Sequence, residues 1–155
     1  MDTYQRLRDK LREAIERNKA DAILLSGGLD TSILAVLARP KVAFTVGLKD
    51  SSASDLIYSQ KVSKLLQIGH RKREFSVAEA IETLPEVIRI LKTFDLALPN
   101  DLSLYLALKL ARENGITSVM SGDGADELFV GYSYMAKLSP PDMERYIRQL
   151  SRNWQ

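Results

Sequence analysis

Short apolar runs alternate along this chain with longer segments whose apolar residues recur at helical spacing. Runs of about four to eight apolar or alternating residues predict strands, and apolar residues that return every three to four positions predict helices. In the first helix, expected over residues 4–19, Leu7, Leu11 and Ile15 form an apolar stripe beside mixed charges. Strands are predicted over 22–25, 42–48, 70–75 and 117–120, and further helices over about 31–38, 54–66, 76 onward, 102–110 and 142–150.

Caps and breakers set the expected ends of these elements. Ser76-Val77-Ala78-Glu79 is a capping box that opens a helix, and Pro85 is expected to interrupt or restart that helix. Pro99-Asn100-Asp101 is expected to form a loop, and Gly115 to end the helix that follows the loop. Pro140-Pro141 is expected to break the chain before the last helix.

The alternation of strands and helices predicts an α/β fold with a parallel sheet and helices on both faces, in three layers. The 155 residues are the length of one domain, and we find no internal repeat, so a single domain over residues 1–155 is expected. Ligands of such sheets bind beyond the carboxyl ends of the strands, where the strand order reverses. If the first and fourth strands are neighbours there, the strand order is 3-2-1-4 and the loops that follow these two strands meet.

The first of these loops is Ser26-Gly27-Gly28-Leu29-Asp30-Thr31-Ser32. It offers flexible glycines, hydroxyl groups and a helix start, which suit a pyrophosphate, and one carboxylate, which suits the Mg²⁺ of a nucleotide. The loop lacks the Lys-Ser/Thr ending of a Walker motif, and it does not have the dinucleotide fingerprint. A simple glycine turn that joins a strand to a helix is the alternative interpretation.

The second loop, Ser121-Gly122-Asp123-Gly124-Ala125-Asp126-Glu127, places three carboxylates within five residues. Acidic residues at a helix start are also stabilised by the helix dipole without any function, and this alternative stays open for the loop alone. The ligand spacing of a calcium-binding EF-hand is absent. Together the two loops indicate Mg-nucleotide chemistry, because Mg²⁺ is usually held by a few carboxylates and by substrate phosphates.

Composition and charge exclude several functions and kinds of site. The net charge of +2 gives no support for binding to nucleic acid or to a membrane surface. The chain contains no cysteine, which excludes disulfides, thiolate metal sites and the cysteine nucleophile of a glutaminase. The start of the sequence has no signal-peptide character, so a cytoplasmic location is expected. The single histidine, His70, has no partner cluster in the sequence and is interpreted as a surface or structural residue.

Two motifs resemble a known family. Residues 26–32 are similar to the pyrophosphate loop of the N-type ATP pyrophosphatases, the PP-loop superfamily. Residues 121–132, Ser-Gly-Asp-Gly-Ala-Asp-Glu-Leu-Phe-Val-Gly-Tyr, resemble the signature of the asparagine synthetase synthetase domain. The resemblance covers about residues 20–135 and includes Phe44 to Leu48, which look like the adenine-side strand of the family. It implies an adenine nucleotide alpha hydrolase-like, Rossmann-like fold.

The resemblance also implies a reaction and its residues. In the family, ATP and a carboxylate form an acyl-adenylate and pyrophosphate, and ammonia then displaces AMP to give an amide. Aspartate is a candidate carboxylate. By resemblance, Asp30 and Asp126 would hold Mg²⁺, and Asp123 would face the reacting centre. The residues implied in ATP binding are Leu24, Leu25, Ser26, Gly27, Gly28, Leu29, Asp30, Thr31, Ser32, Val46, Ser121 and Gly122.

The chain departs from the family at several points. Residues 98–101, Leu-Pro-Asn-Asp, replace a segment that carries an arginine in the synthetases, and Val130 replaces a usual glycine. The sequence ends soon after Tyr132, and we therefore expect a short, truncated relative without the family's glutaminase and C-terminal helical part, whose catalytic lysine is absent. A separate glutaminase, a completing subunit or a homodimer are the protein partners expected on this basis.

Two alternatives to an amide ligase follow from these departures. The first is a nucleotide-binding module or subunit without complete catalysis. The second is a tRNA-modifying PP-loop ATPase, which shares the first loop but is disfavoured by the second loop and by the lack of cysteine.

Overall fold

A computed structural model describes residues 2–51, 54–95 and 97–152. They fall into two compact units, Met1–Ser121 and Gly122–Gln155, of which the first contains the whole described sheet. This division does not decide whether the chain is a single domain, which stays a prediction.

In the first unit, strands and helices alternate as the sequence predicts. The turn after β1 and the turn after β4 leave the sheet at the same edge, because the two strands are parallel neighbours. The elements of this unit are α1 (Thr3–Arg17), β1 (Ala22–Leu24), α2 (Leu29–Ala38), β2 (Val42–Leu48), α3 (Ser54–Leu66), β3 (Gly69–Phe75), α4 (Val77–Leu91), α5 (Leu98–Glu113) and β4 (Val119–Met120).

The second unit begins with the loop after β4 and is mostly helical. Its elements are α6 (Ala125–Phe129), a 3-10 turn (Met135–Lys137) and α7 (Pro140–Arg152). The last helix therefore begins at the Pro140-Pro141 pair, where the sequence predicted a break. Proline is well tolerated in the first turn of a helix, where its missing N–H would have no partner in any case.

The sheet has the order β3-β2-β1-β4, and its described pairings are all parallel. Leu24 of β1 is opposite Phe44 of β2, and Ile23 is opposite Met120 of β4. The predicted order 3-2-1-4 is therefore confirmed, with β1 and β4 adjacent. β4 is shorter than the predicted 117–120.

Alternate residues of the strands pack on the two faces of the sheet. On one face, Ile23 and Ala43 pack in a cluster with Ala35 of α2 and Leu66 of α3. On the other face, Phe44 packs with residues of α5, and Val46 packs with residues of α4 and α5; these contacts include Ala111, Val87, Leu102 and Leu106. The three-layer arrangement with helices on both faces is confirmed.

Two expectations about proline are wrong. α4 runs without a break through Pro85, because the helix loses a single hydrogen bond there while Leu84, Val87 and Ile88 pack into the core. The predicted loop at 99–101 is the first turn of α5, with Pro99 at one of the first two positions. The capping box is confirmed, since the Ser76 hydroxyl accepts a hydrogen bond of 3.1 Å from the Glu79 N–H.

Among the described helices, none has the length and apolar character needed to cross a membrane.

Candidate functional site

The first loop leaves β1 and turns sharply before α2, and its geometry requires glycine at position 27. Gly27 has φ +80°, a conformation that side-chain-bearing residues rarely adopt. A Cβ atom there would lie 2.4 Å from the backbone N of Ser59 and 2.4 Å from the backbone C of Tyr58. Since no Cβ atom tolerates such a distance, Gly27 allows the backbone of α3 to pack directly against the loop.

Hydroxyl groups hold the loop closed on itself. The Ser26 Oγ accepts a hydrogen bond of 3.2 Å from the Gly28 N–H and lies 3.0 Å from the Thr31 Oγ1. Gly28 is the N-cap of α2, and no side chain of the described residues caps that helix start. The first-turn N–H groups of α2, beside Asp30, therefore provide donors of the kind that bind phosphate.

Leu24 and Val46, which the resemblance assigns to the adenosine side of the site, lie on the same face of the sheet. Leu24 is opposite Phe44 in the parallel register, and Val46 follows Phe44 by two residues, so both side chains are on the face that α4 and α5 cover. Both are partly buried near the carboxyl ends of neighbouring strands. The structure thus brings together two of the residues that the sequence assigned to adenosine.

The entrance to the loop is held by Thr45 and His70, to which the sequence analysis assigned no part in the site. The Thr45 hydroxyl donates to the Leu25 carbonyl at 2.6 Å, and its oxygen lies 2.9 Å from Nε2 of His70. The other ring nitrogen, Nδ1, lies 3.1 Å from the Ser63 Oγ. Burial, and then the charge of Lys72, lower the pKa of His70 from its usual value. Parallel pairing of β2 with β3 places Ala43 opposite His70, and this pairing could not be known from either strand alone.

The second loop starts beside the first and continues into the second unit. Ser121 directly follows Met120, the last residue of β4, at the edge where β1 ends. Within the second unit, Gly124 has φ +89° and caps α6, and the Ala125 N–H donates to the Gly122 carbonyl at 3.2 Å. Asp123 is exposed.

A tight turn after α6 fixes the surroundings of Asp126. The Gly131 N–H donates to the Asp126 carbonyl at 2.9 Å, and a Cβ atom at Gly131 would lie only 1.7 Å from the Asp126 Oδ1. Gly131 therefore leaves the space that this carboxylate occupies. Val130, before it, has φ +62°, which is strained for a β-branched residue and is a conformation that glycine adopts freely.

Two residues of the segment 121–132, Tyr132 and Glu127, are joined by a hydrogen bond. The Tyr132 hydroxyl donates to the Glu127 Oε1 at 2.7 Å, and this bond is the main reason that the pKa of Tyr132 is raised to about 12. The ring of Tyr132 stacks on Tyr134 at 5.4 Å, and the Tyr134 hydroxyl lies 3.0 Å from that of Tyr146 in α7. Through Tyr132, Glu127 is thus linked to a group of three tyrosines within the second unit.

The described residues contain no group of three or more His, Cys, Asp or Glu side chains arranged to hold a metal ion. A site made of two carboxylates and substrate phosphates would not form such a group. Asp30 belongs to the first unit and Asp126 to the second, and their convergence on one Mg²⁺ stays a prediction.

An apolar pocket of about 630 Å³ opens where β2 and β3 end, between α4 and α5. Leu48 and Phe75, the last residues of those strands, contribute to its wall, and Asp95, Asn100 and Ser103 are its polar residues. The described lining contains no Lys, Arg or His. The described lining of this pocket therefore offers an apolar surface where β2 and β3 end, and no cationic side chain for a carboxylate.

Comparison with known proteins places these features in a family. The model of the asparagine synthase family matches residues 5–155. The asparagine synthetase (glutamine-hydrolyzing) of Cricetulus griseus is 32% identical over 157 residues, which cover 90% of this chain and 28% of that protein. The corresponding protein of Bos taurus is 35% identical over 144 residues, which cover 82% and 25%. The chain thus spans about a quarter of the length of these curated relatives.

Solved structures share the fold at lower identity. An NMN synthetase from Francisella tularensis superposes with a TM-score of 0.54 at 22% identity, over 83% of this chain and 56% of that one. An NH3-dependent NAD synthetase from Campylobacter jejuni, in complex with the nitrate ion, gives a TM-score of 0.51 at 19% identity, over 86% and 62%. These likenesses support the adenine nucleotide alpha hydrolase-like fold. The family match over almost the entire sequence and the relatives at 32% and 35% identity show that the chain belongs to the asparagine synthase family.

Proposed function

We propose that this chain binds Mg-ATP and activates a carboxylate as its adenylate, releasing pyrophosphate, and that ammonia then displaces AMP to form an amide. The observation that carries the proposal is the closed, glycine-dependent loop between β1 and α2, in a member of the asparagine synthase family. A reaction of this kind needs little covalent work from the protein. Positioning and neutralisation of charge supply most of the rate.

The proposed nucleotide site is built on the carboxyl ends of β1, β2 and β4. The β- and γ-phosphates would be held by the loop residues Ser26 to Ser32, which present N–H groups and hydroxyls beside the uncapped start of α2. Leu24 and Val46, with Ser121 and Gly122, would hold adenosine. The phosphate assignment is supported by the close packing of α3 against Gly27, which holds the sharp turn of the loop before α2.

Magnesium is assigned to Asp30 and Asp126, and Asp123 is assigned to the reacting centre. Carboxylates next to phosphate donors are unfavourable without a cation, and Mg²⁺ bridges carboxylates and phosphates with few protein ligands. Asp30 lies in the first turn of α2, within the loop that would hold the phosphates. The Asp126 carboxylate lies in the space that Gly131 leaves free.

The nitrogen donor is proposed to be ammonia, as the resemblance implies, and the 155 residues contain no cysteine that could act as a glutaminase nucleophile. Ammonia would be supplied from solution or by a separate glutaminase. The carboxylate is a small molecule, with aspartate as the family's precedent, and neither nucleic acid nor a membrane is proposed as a partner. The family relationship supports a role in amino-acid biosynthesis in the cytoplasm, and the proposed assembly is a homodimer or a complex with a completing subunit.

Product analysis tests this function directly. The protein is incubated with Mg-ATP, ammonium and a panel of carboxylates that includes aspartate, and the nucleotides are separated by chromatography. We expect AMP and pyrophosphate, formed only when a carboxylate is present. ADP and phosphate as the main products would remove the chain from this reaction class.

A nucleotide-binding module without complete catalysis is the second candidate. It is favoured by the segment 98–101, which forms the first turn of α5 and presents no basic side chain where the resembling enzymes carry an arginine. This candidate predicts Mg-ATP binding by calorimetry without formation of AMP. AMP formation with any carboxylate would exclude it.

A further inference from the structure

A row of polar side chains connects β3 to the entrance of the phosphate loop. It runs from Ser63 of α3 through the His70 ring and the Thr45 hydroxyl to the Leu25 carbonyl, with separations of 3.1, 2.9 and 2.6 Å. Thr45 is 4% exposed, Ser63 is 2% exposed and Leu25 is 2% exposed. Buried polar groups of this kind are costly unless each finds a partner, so the direction of each hydrogen bond is constrained.

Counting protons along the row shows which ring nitrogen of His70 carries a hydrogen in the neutral form. A carbonyl oxygen only accepts, so the single Thr45 proton goes to Leu25 and the Thr45 oxygen must accept from His70. Nε2 of His70 therefore carries a hydrogen. In the neutral ring Nδ1 is then bare, and the Ser63 proton has two acceptors at 3.1 Å, Nδ1 of His70 and the Gln60 carbonyl.

The row has a structural consequence at the first peptide of the loop. Leu25 is held from two sides, because its N–H donates to the Phe44 carbonyl at 2.9 Å and its carbonyl accepts from Thr45. A trans peptide is planar, with its C=O and the following N–H pointing in opposite directions. Fixing the Leu25 carbonyl toward Thr45 therefore fixes the Ser26 N–H away from Thr45, at the start of the loop.

We propose that His70 is a positioning residue for nucleotide binding: by donating from Nε2 to Thr45, it directs the Thr45 proton to the Leu25 carbonyl and so orients the Leu25–Ser26 peptide at the entrance to the phosphate loop. The inference rests on the proposed function, because the loop is taken to bind the phosphates of ATP. His70 touches no nucleotide in this account. It acts through Thr45.

Protonation of His70 leaves this donor in place. An imidazolium keeps the Nε2–H, and the Ser63 hydroxyl can turn from Nδ1 to the Gln60 carbonyl, which lies 3.1 Å from the Ser63 Oγ. β2 carries no charged residue, and α3 faces the ring with Ser63, so Lys72 of β3 is the charge that acts on His70. The Lys72 Nζ is itself 2.9 Å from the Gln60 Oε1. ATP affinity should therefore change little across the titration of His70.

The tautomer can be measured without any ligand. His70 is the one histidine of the sequence, so a tag-free protein labelled with ¹⁵N-histidine gives a single pair of ring nitrogens. We expect the neutral ring to show a protonated Nε2 and a bare Nδ1, and to titrate below the usual value. A neutral ring protonated at Nδ1 would overturn the inference, whatever the outcome for ATP.

Two pairs of variants then test the role in binding. Thr45→Val removes the hydroxyl at nearly constant shape, and Thr45→Ser retains it. His70→Leu removes the donor, and His70→Gln places an amide N–H near the position of Nε2. We expect Thr45→Val and His70→Leu to weaken Mg-ATP binding about 5–10-fold, the size of one hydrogen bond, and the conservative variants to stay within about twofold of wild type.

The affinity for AMP distinguishes a loss of loop orientation from general damage to the fold. AMP lacks the β- and γ-phosphates, so loss of loop orientation should leave its affinity within about twofold, whereas a damaged fold would weaken AMP and ATP equally. Calorimetry with both nucleotides, together with a thermal melt of each variant, gives this comparison. Normal ATP binding by Thr45→Val, or equal losses for both nucleotides, would overturn the inference and leave the proposed function intact. Failure of the wild-type protein to bind Mg-ATP would overturn both.

Discussion

The two glycine-rich loops look alike in sequence but are held in different ways. The first is constrained from outside: α3 packs against Gly27 and Thr45 of β2 holds Leu25. The second is constrained from within, by Gly131 against Asp126 and by Tyr132 bonded to Glu127. The first loop is therefore part of the packed sheet, whereas the second depends on its own short-range contacts. Changes in the first should alter global stability, and changes in the second should alter the nearby side chains.

The largest effect is expected at Gly27. Gly27→Ala would force a Cβ atom into the backbone of α3 at a positive φ, and we expect a loss of several kcal/mol or failure to fold. Gly28→Ala is the matched control, because Gly28 has φ −67° and its Cβ would lie 3.3 Å from the Ser26 Oγ. Chemical denaturation of both variants should show a change below about 1 kcal/mol for the control. Equal stability of the two variants would contradict the close approach of α3.

The next largest effect is expected at Gly131, which follows the second loop, and it concerns Mg-ATP binding. Gly131→Ala would place a Cβ atom 1.7 Å from the Asp126 Oδ1, and we expect the carboxylate to be displaced and Mg-ATP binding to weaken about 10-fold. The unfolding of residues 2–121 should change little. Gly115→Ala is a control with a positive φ of +78° and open space around the Cβ. If calorimetry gives Gly131→Ala normal Mg²⁺-dependent affinity, Asp126 has no role in the site.

A substitution at Val130 is expected to have a smaller effect on stability, and to stabilise rather than destabilise the protein. Val130→Gly should relieve the left-handed strain and stabilise the second unit by about 1 kcal/mol, after the greater chain entropy of glycine is subtracted. Val130→Ala keeps the strain and should not stabilise. Hydrogen exchange of amides in α6 and α7 measures this difference. Slower exchange in the alanine variant than in the glycine variant would show that side-chain volume, rather than backbone strain, decides stability here.

The smallest effect concerns pH. Burial and Lys72 lower the pKa of His70 in the folded state, so the unfolded chain binds the proton more tightly. The neutral His70 ring therefore adds to the free energy of unfolding. This addition is complete above the ordinary pKa of 6.5 and is lost as pH falls from there through the lowered pKa. Urea denaturation over about pH 5–8, the range in which histidine usually titrates, should show this dependence of stability on pH. His70→Gln should remove the slope, and an unchanged slope would assign it to other groups.

Much of the fold could be predicted because the relevant signals are local. The pattern at 42–48 gives β2 with its observed ends, and the capping box locates the start of α4 at Ser76. The expected breaks at Pro85 and Pro99 were wrong for opposite reasons. At Pro85, core packing by neighbouring residues outweighs one lost hydrogen bond; at Pro99, the ring occupies a first turn that needs no donor.

The candidate site was only partly predictable, because some of its contacts join distant strands. The sequence identified the loop residues around Gly27 and Asp30 from their motif. It could not identify Thr45 and His70 as partners, because their contact depends on the register between β2 and β3. The assignments of Asp30, Asp123 and Asp126 remain predictions that the motif and the family support.

The shared magnesium site is the central claim, and a double-mutant cycle tests it most directly. Asp30→Asn, Asp126→Asn and the double variant each keep the side-chain shape and remove charge, and Mg-ATP affinity is measured for all three and for wild type by calorimetry, with and without EDTA. We expect each single change to weaken binding about 10-fold, and the double change to cost less than the sum, because residues that hold one ion act as a unit. Stability without nucleotide should hold or rise slightly, since two like charges are removed. Strictly additive losses, or affinity for ATP that is unaffected by EDTA, would contradict a metal shared by the two loops.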